Sequence, residues 1–182
     1  MKRLFLAISL PDGMIDAFEE TMAPYKKDQH LKDAKWVSRE NYHVTVLFLG
    51  DIVEAHLAEM QTILRGIANR ISPFSLYFEH IEFFSYKMPK MIWGRFQRSL
   101  AFLELHKESK KFMKPYMDED DDKEPIPHVT LARLRHPIDP KKFSFKPLHL
   151  PPLEVTQLQL YESELTERGP IYTLLDSYEL QG

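Results

Sequence analysis

Two short stretches of this chain repeat a pair of side chains suited to moving protons. The first is Tyr42-His43-Val44-Thr45-Val46-Leu47-Phe48-Leu49-Gly50, and the second is Pro127-His128-Val129-Thr130-Leu131-Ala132-Arg133-Leu134-Arg135. Each reads His-Val-Thr followed by an apolar residue, inside a β-prone run. Successive side chains of a strand point to opposite faces, so His43 shares a face with Thr45, and His128 with Thr130. Val44, Val46, Val129 and Leu131 then point the other way, toward a core. One His-x-Thr triplet is a weak signal in a chain with eight histidines. Two copies that share the middle valine and the apolar follower are much less expected by accident. The competing reading makes them ordinary strand histidines beside threonines chosen for β-propensity.

Histidine is the side chain whose ordinary pKa, about 6.5, lets it give or take a proton near neutrality. Two of them facing one substrate allow one to deprotonate a nucleophile while the other protonates a leaving oxygen. The threonine hydroxyls are placed to donate hydrogen bonds to phosphoryl oxygens, and Arg133 adds a charge-assisted contact to the same group. The chemistry indicated is attack on a phosphate ester, with no metal or cofactor required. Phe48 and Arg133 each lie five residues after their histidine, an odd offset that strict alternation aims away from the site. They reach it only if the strand bulges or ends there, near Gly50 or the prolines after Arg135. Otherwise Phe48 is a core residue and Arg133 a surface or inter-lobe ion-pair partner.

The pattern around the motifs predicts the elements that hold them. Strands are expected over 3–9, 41–49, 74–84, 91–96, 127–135, 143–148, 153–161 and 171–180, with a hairpin turn at Glu167-Arg168-Gly169-Pro170. Helical spacing of apolar residues covers 14–27, 52–70 and 99–116. This is an α+β chain with mainly antiparallel sheet. The two motifs lie close to half a chain length apart, each with a helix nearby, which suggests two pseudo-symmetric lobes with outer helices and an active-site cleft between them. Residues 1–182 read as a single domain.

Composition narrows the class. With 43% hydrophobic residues the chain has material for a core, and without cysteine it has no disulfide, thiolate site or cysteine nucleophile. The N-terminal apolar run reads as a buried first strand and not as a signal peptide, and no stretch approaches the roughly 20 apolar residues of a membrane span. A soluble, cytoplasmic protein is expected. A net charge of −3 argues for recognising an end or a small molecule, not a duplex. The remaining histidines show no ligand spacing, so no metal site is expected. Trp36, Trp93, Tyr86 and Tyr42 are candidates to stack a base, with core or rim packing the preferred reading. The acidic run Asp118–Asp122 reads as a solvated loop that borders the cleft and disfavours long RNA.

Taken together, Arg3-Leu-Phe-Leu-Ala-Ile8, Trp36-Val37, His43 to Gly50, Ile92-Trp93-Gly94, Pro127 to Arg133, Leu160-Tyr-Glu-Ser163 and Gly169-Pro-Ile-Tyr172 resemble the two-histidine (2H) phosphoesterase superfamily. Within it the chain is similar to the bacterial and archaeal RNA 2′,3′-cyclic phosphodiesterases, also called 2′-5′ RNA ligases. The resemblance runs essentially end to end. It implies metal-independent hydrolysis of an RNA or nucleoside 2′,3′-cyclic phosphate to a 2′-phosphomonoester. It also implies His43 as proton donor to the leaving ribose O3′ and His128 as the base that activates water. Thr45, Thr130 and Arg133 would hold the phosphate, and Phe48 would contact the base or ribose. The near-symmetric motifs alone do not say which histidine holds the proton. RNA end recognition without turnover, or 2′-5′ end-joining, is the alternative main role. The expected partners are RNA ends or nucleotides bearing the cyclic phosphate, with no membrane, no obligate protein partner and a monomeric chain. Val46 departs from the leucine more usual there, and the acidic run is no part of the family pattern.

Overall fold

A computed structural model describes residues 1–85, 87–117, 123–167 and 169–182. Its main sheet is antiparallel and follows the order β10 (Gly169–Glu179), β9 (Gln157–Thr166), β1 (Lys2–Ser9), β3 (His43–Ile52), β7 (His128–Arg133), β6 (Met91–Phe96) and β5 (Phe78–Phe84). The two-residue β2 (Lys35–Trp36) pairs with the far end of β7. A separate pair joins β4 (Phe74–Leu76) to β8 (Leu153–Val155).

The long sheet is two sheets meeting at a narrow seam. Strands β3 and β7 are joined only by the pair Val44 and Val129, whereas their other neighbours run in register for several residues. Beyond that point the strands diverge, leaving β10-β9-β1-β3 as one lobe and β7-β6-β5 with β2 as the other. This two-lobed α+β architecture is the one the sequence pattern predicts.

Both seam strands bulge at corresponding positions. Across β1, Ala7 faces Thr45 and Leu6 faces Leu47, so Val46 has no partner. Across β6, Trp93 faces Thr130 and Ile92 faces Ala132, so Leu131 has none. A bulge of this kind inserts one residue, increases local twist and reverses which face the following residues occupy.

Three helices back the sheet, and they interlock the lobes. Helix α1 (Asp12–Lys26) follows β1 yet packs under the other lobe, burying Met14, Ile15, Phe18 and Met22. The Phe18 ring meets Phe78 of β5 edge-on at 5.5 Å and lies beneath Gly94 of β6. Helix α3 (Leu100–Met113) starts at Ser99, whose hydroxyl accepts from the Phe102 N–H, and follows β6 yet reaches back to β3. Helix α2 (Leu57–Ala68) completes that first layer, with Arg65 paired to Asp176 of β10 and Arg70, just past its end, paired to Glu108 of α3. None of the described helices is long and apolar enough to cross a membrane.

The Gly94 contact makes a stability prediction. An added Cβ would lie 2.7 Å from the fully buried Phe18 ring, inside van der Waals contact. Gly94→Ala is expected to destabilise the chain by about 1–3 kcal/mol through overpacking, read from urea unfolding curves. An unchanged midpoint would show that the ring yields freely.

Some expected elements differ. Residues 143–148, predicted as a strand, form no ladder. Phe143 and Phe145 pack their rings on Phe83, and the Tyr25 hydroxyl donates to the Ser144 carbonyl and accepts from the Lys146 N–H. Alternating aromatics there signal one buried face, and a tyrosine side chain takes the part a neighbouring strand would play. The helix expected over 52–70 begins at Leu57, because β3 continues to Ile52. The strand expected over 74–84 is broken at Tyr77 into β4 and β5. The loop read at Asp118–Asp122 lies outside the described residues, as do Tyr86 and Arg168.

Candidate active site

The seam places four polar residues together. Val44 and Val129 are fully buried and paired antiparallel, so the residues flanking each one turn to the opposite face. These residues are His43, Thr45, His128 and Thr130, all half-buried. An antiparallel pair relates its strands by a local two-fold, so the two His-Val-Thr triplets are disposed alike about the valine pair.

The two imidazoles are tied down in the same way. His43 Nδ1 lies 2.8 Å from the carbonyl of Asn41, and His128 Nδ1 lies 2.7 Å from the carbonyl of Ile126. A carbonyl can only accept, so Nδ1 donates in both rings. Nε2 is left as the working nitrogen, basic in the neutral ring and able to give a proton in the cation. The Thr45 hydroxyl is 3.0 Å from His43 Nε2, within reach to donate to it. The Asn41 side-chain amide also donates to the Pro170 carbonyl at 2.9 Å, anchoring the residue that holds His43.

Aromatic rings wall both histidines. His43 packs against Phe5 at 5.0 Å and edge-on to Tyr172 at 5.3 Å between centroids. His128 stacks on Trp93 at 3.6 Å, and Trp93 stacks in turn on Phe84 at 3.8 Å. Such walls restrict the rings to one orientation and remove water from one side.

The bulges bring two more residues to this face. Val46 and Leu47 are buried in succession, as are Leu131 and Ala132, and the next side chains, Phe48 and Arg133, emerge with the histidines. Phe48 is 65% exposed, which excludes the core alternative. The Arg133 guanidinium reaches the Met91 sulfur at 3.4 Å and is close enough to act on the charge of His43, His128 and Tyr172. Beside His43, a concavity of about 370 Å³ is lined by Arg3, Phe5, Phe48, Asp51, Ser163 and Tyr172.

Burial dominates the electrostatics. It pushes the His43 pKa down to about 4, with the charges of His128 and Arg133 acting in the same direction against the Asn41 carbonyl. His128 is also lowered, first by burial and then by Arg133. The Ile126 carbonyl and the carboxylate of Glu82 oppose that fall. In the free protein, both rings are neutral near pH 7.

Comparison with known proteins bears on this site. Residues 8–93 match the family model described as LigT like Phosphoesterase. An RNA 2′,3′-cyclic phosphodiesterase of Aquifex aeolicus is 30% identical over 174 residues, covering 91% of this chain and 93% of that protein. The chain belongs to the LigT-like phosphoesterase family. The RNA 2′,3′-cyclic phosphodiesterase of Thermotoga maritima is 28% identical across 99% of this chain and 96% of its own length. A crystal structure from Thermus thermophilus superposes with a TM-score of 0.81 at 26% identity, covering 99% of this chain and 98% of that one. The crystal structure of E. coli LigT complexed with 3′-AMP, 22% identical, shares the fold with a TM-score of 0.73 over 100% of this chain and 99% of its own.

For this LigT-like phosphoesterase, sequence reasoning singled out Trp93 beside His128 but gave no role to Phe5 and Tyr172, which wall His43. Phe5 lay in view, since the Arg3-Phe5-Ala7-Ser9 face of β1 contains one large aromatic opposite the apolar Leu4-Leu6-Ile8 face. Tyr172 carried no local signal. Of the aromatic candidates, Trp93 packs on His128, Tyr42 is buried and donates to Glu19 at 2.6 Å, and Trp36 sits under the Lys26 ammonium. Packing was the right reading for these three, while Tyr86 is outside the described residues.

Proposed function

We propose that this chain hydrolyses 2′,3′-cyclic phosphates at RNA or nucleotide ends by metal-free acid–base catalysis between His43 and His128. The observation that carries the reading is the pair of imidazoles on one face, each with Nδ1 committed to a carbonyl and Nε2 left for chemistry. Two hydroxyls and a guanidinium surround them, which is a donor set suited to a phosphate. The names of the full-length relatives support the substrate class.

In the reaction, His128 takes a proton from water as its oxygen attacks phosphorus. The P–O3′ bond breaks and His43 gives its proton to O3′, leaving a 3′-hydroxyl and a 2′-phosphomonoester. The family resemblance assigns this direction. The phosphate anion supplies the counter-charge that lets His43 hold its proton when substrate is bound. Thr45, Thr130 and Arg133 hold the phosphoryl oxygens, and Phe48 offers its exposed ring to the base or ribose beside the Arg3-lined concavity. Water is present at about 55 M, so hydrolysis outruns end-joining unless a second RNA end is held in place.

The deciding experiment is product analysis. An RNA ending in a 2′,3′-cyclic phosphate, incubated with the chain in excess chelator, is expected to yield a terminal 2′-phosphate. Complete loss of activity with EDTA would overturn the metal-free mechanism, and a 3′-phosphate product would reverse the choice of leaving oxygen. Tight binding without turnover would leave end recognition as the function.

A further inference from the structure

The bulged residue of each seam strand has a backbone carbonyl with a different kind of donor in the two lobes. In β7 the unpartnered residue is Leu131, and its carbonyl accepts from the Val37 N–H at 3.0 Å. Val37 directly follows β2, so the second lobe uses a strand extension. Among the described residues, no strand lies against β3 beyond the Val44–Val129 pair on that edge. There the carbonyl of Val46, the unpartnered residue of the first bulge, accepts from His106 Nδ1 at 2.7 Å. His106 belongs to α3, sixty residues away in sequence. Val46 is buried, so water is a poor substitute for this donor.

We propose that His106 is a positioning residue that fixes the first bulge and, through it, the placement of Thr45 and Phe48. Thr45 immediately precedes the bulged residue and Phe48 follows it by two. If the Val46 carbonyl loses its donor, the easiest relief is rotation of the adjoining peptides. That swings the Thr45 hydroxyl away from His43 Nε2 and turns the Phe48 ring off the site face. His106 touches no reacting group, and it donates through Nδ1 in both its neutral and charged forms. The activity arm of its test rests on the proposed phosphodiesterase reading.

The test compares His106→Ala, His106→Asn and His106→Gln in the full chain. Asparagine places an amide nitrogen near the Nδ1 position, whereas the glutamine nitrogen falls near Nε2 and misses the carbonyl. With 2′,3′-cyclic AMP as probe, Ala and Gln are expected to lose about 10-fold in kcat/KM, carried more by KM than by kcat, since misplacing a contact by about 1 Å is enough for such a loss. Asn is expected to remain within about 3-fold of wild type. In a double-mutant cycle, His106→Ala should cost little more once Thr45 is already alanine. Wild-type kinetics in the Gln variant, equal losses in Asn and Gln, or additivity with Thr45→Ala would each overturn the proposal. If Ala fails to fold, the Asn and Gln pair still decides. If the wild-type chain hydrolyses nothing, the functional reading fails alone. Backbone amide exchange over Thr45–Phe48 then decides the positioning role, with faster exchange in Gln but not Asn expected, and equal exchange in the two refuting it.

Discussion

Replacing His43 or His128 by asparagine is expected to lower turnover of a 2′,3′-cyclic nucleotide by about 10²–10⁴-fold in either variant. Asparagine is the informative choice because its amide still donates to the Asn41 or Ile126 carbonyl while the chemistry of Nε2 is lost. The double variant should be scarcely worse than the poorer single one, since an acid without its base has little left to contribute. Near-wild-type turnover in either single variant would sink the two-histidine assignment. Stability should move in the opposite direction at low pH. His43 is held neutral in the fold to about pH 4, whereas in the unfolded chain it titrates near 6.5. The unfolded chain therefore binds the extra proton, and wild-type stability falls as pH drops from about 6.5 toward 4. His43→Asn should lack that part of the fall, which paired urea titrations at pH 7 and pH 5 would read.

How far the site could be read from the residues follows from how local each determinant is. The His-Val-Thr triplets were legible because a period of two is a property of one strand, and it assigns His43, Thr45, His128 and Thr130 to one kind of face without further knowledge. The odd offset of Phe48 and Arg133 could be stated as a demand for a bulge. Where the bulge falls is set by pairing with β1 and β6, so Val46 and Leu131 could not be singled out from their own strands. The crossing of the helices is less local still. Nothing in Met14 to Lys27 says that α1 lies under the lobe containing Gly94, because an amphipathic stripe specifies that a face is buried but not against what. His106 is the extreme case, an isolated histidine on a helix whose partner is a carbonyl, a group every residue carries.

Arg133 should matter in two separable ways, and its removal is the second large effect expected. On the proposed reading, Arg133→Gln takes away a charge-assisted contact to the phosphoryl oxygens, for which a loss of about 10²-fold in kcat/KM is the ordinary scale. It also removes a positive charge that lowers both histidines. The proposed acid–base reaction requires one ring protonated and the other neutral, so the kcat/KM profile should be bell-shaped and belong to the pair. Because both rings lie below 6.5 in the free enzyme, its optimum should fall on the acid side of that value. The kcat profile should sit at higher pH, since bound phosphate raises both pKa values. In Arg133→Gln the kcat/KM optimum should move toward 6.5, because the rings lose a repelling neighbour. Arg133→Lys keeps the charge but not the planar fork, so its optimum should stay near wild type while only part of the rate returns. An acid-ward shift in Arg133→Gln would contradict the field assigned to this guanidinium. A loss below about 3-fold would remove Arg133 from the phosphate. A kcat/KM profile still rising above about pH 8 in the wild type would count against both histidines at once, because burial holds both rings below 6.5 in the free enzyme.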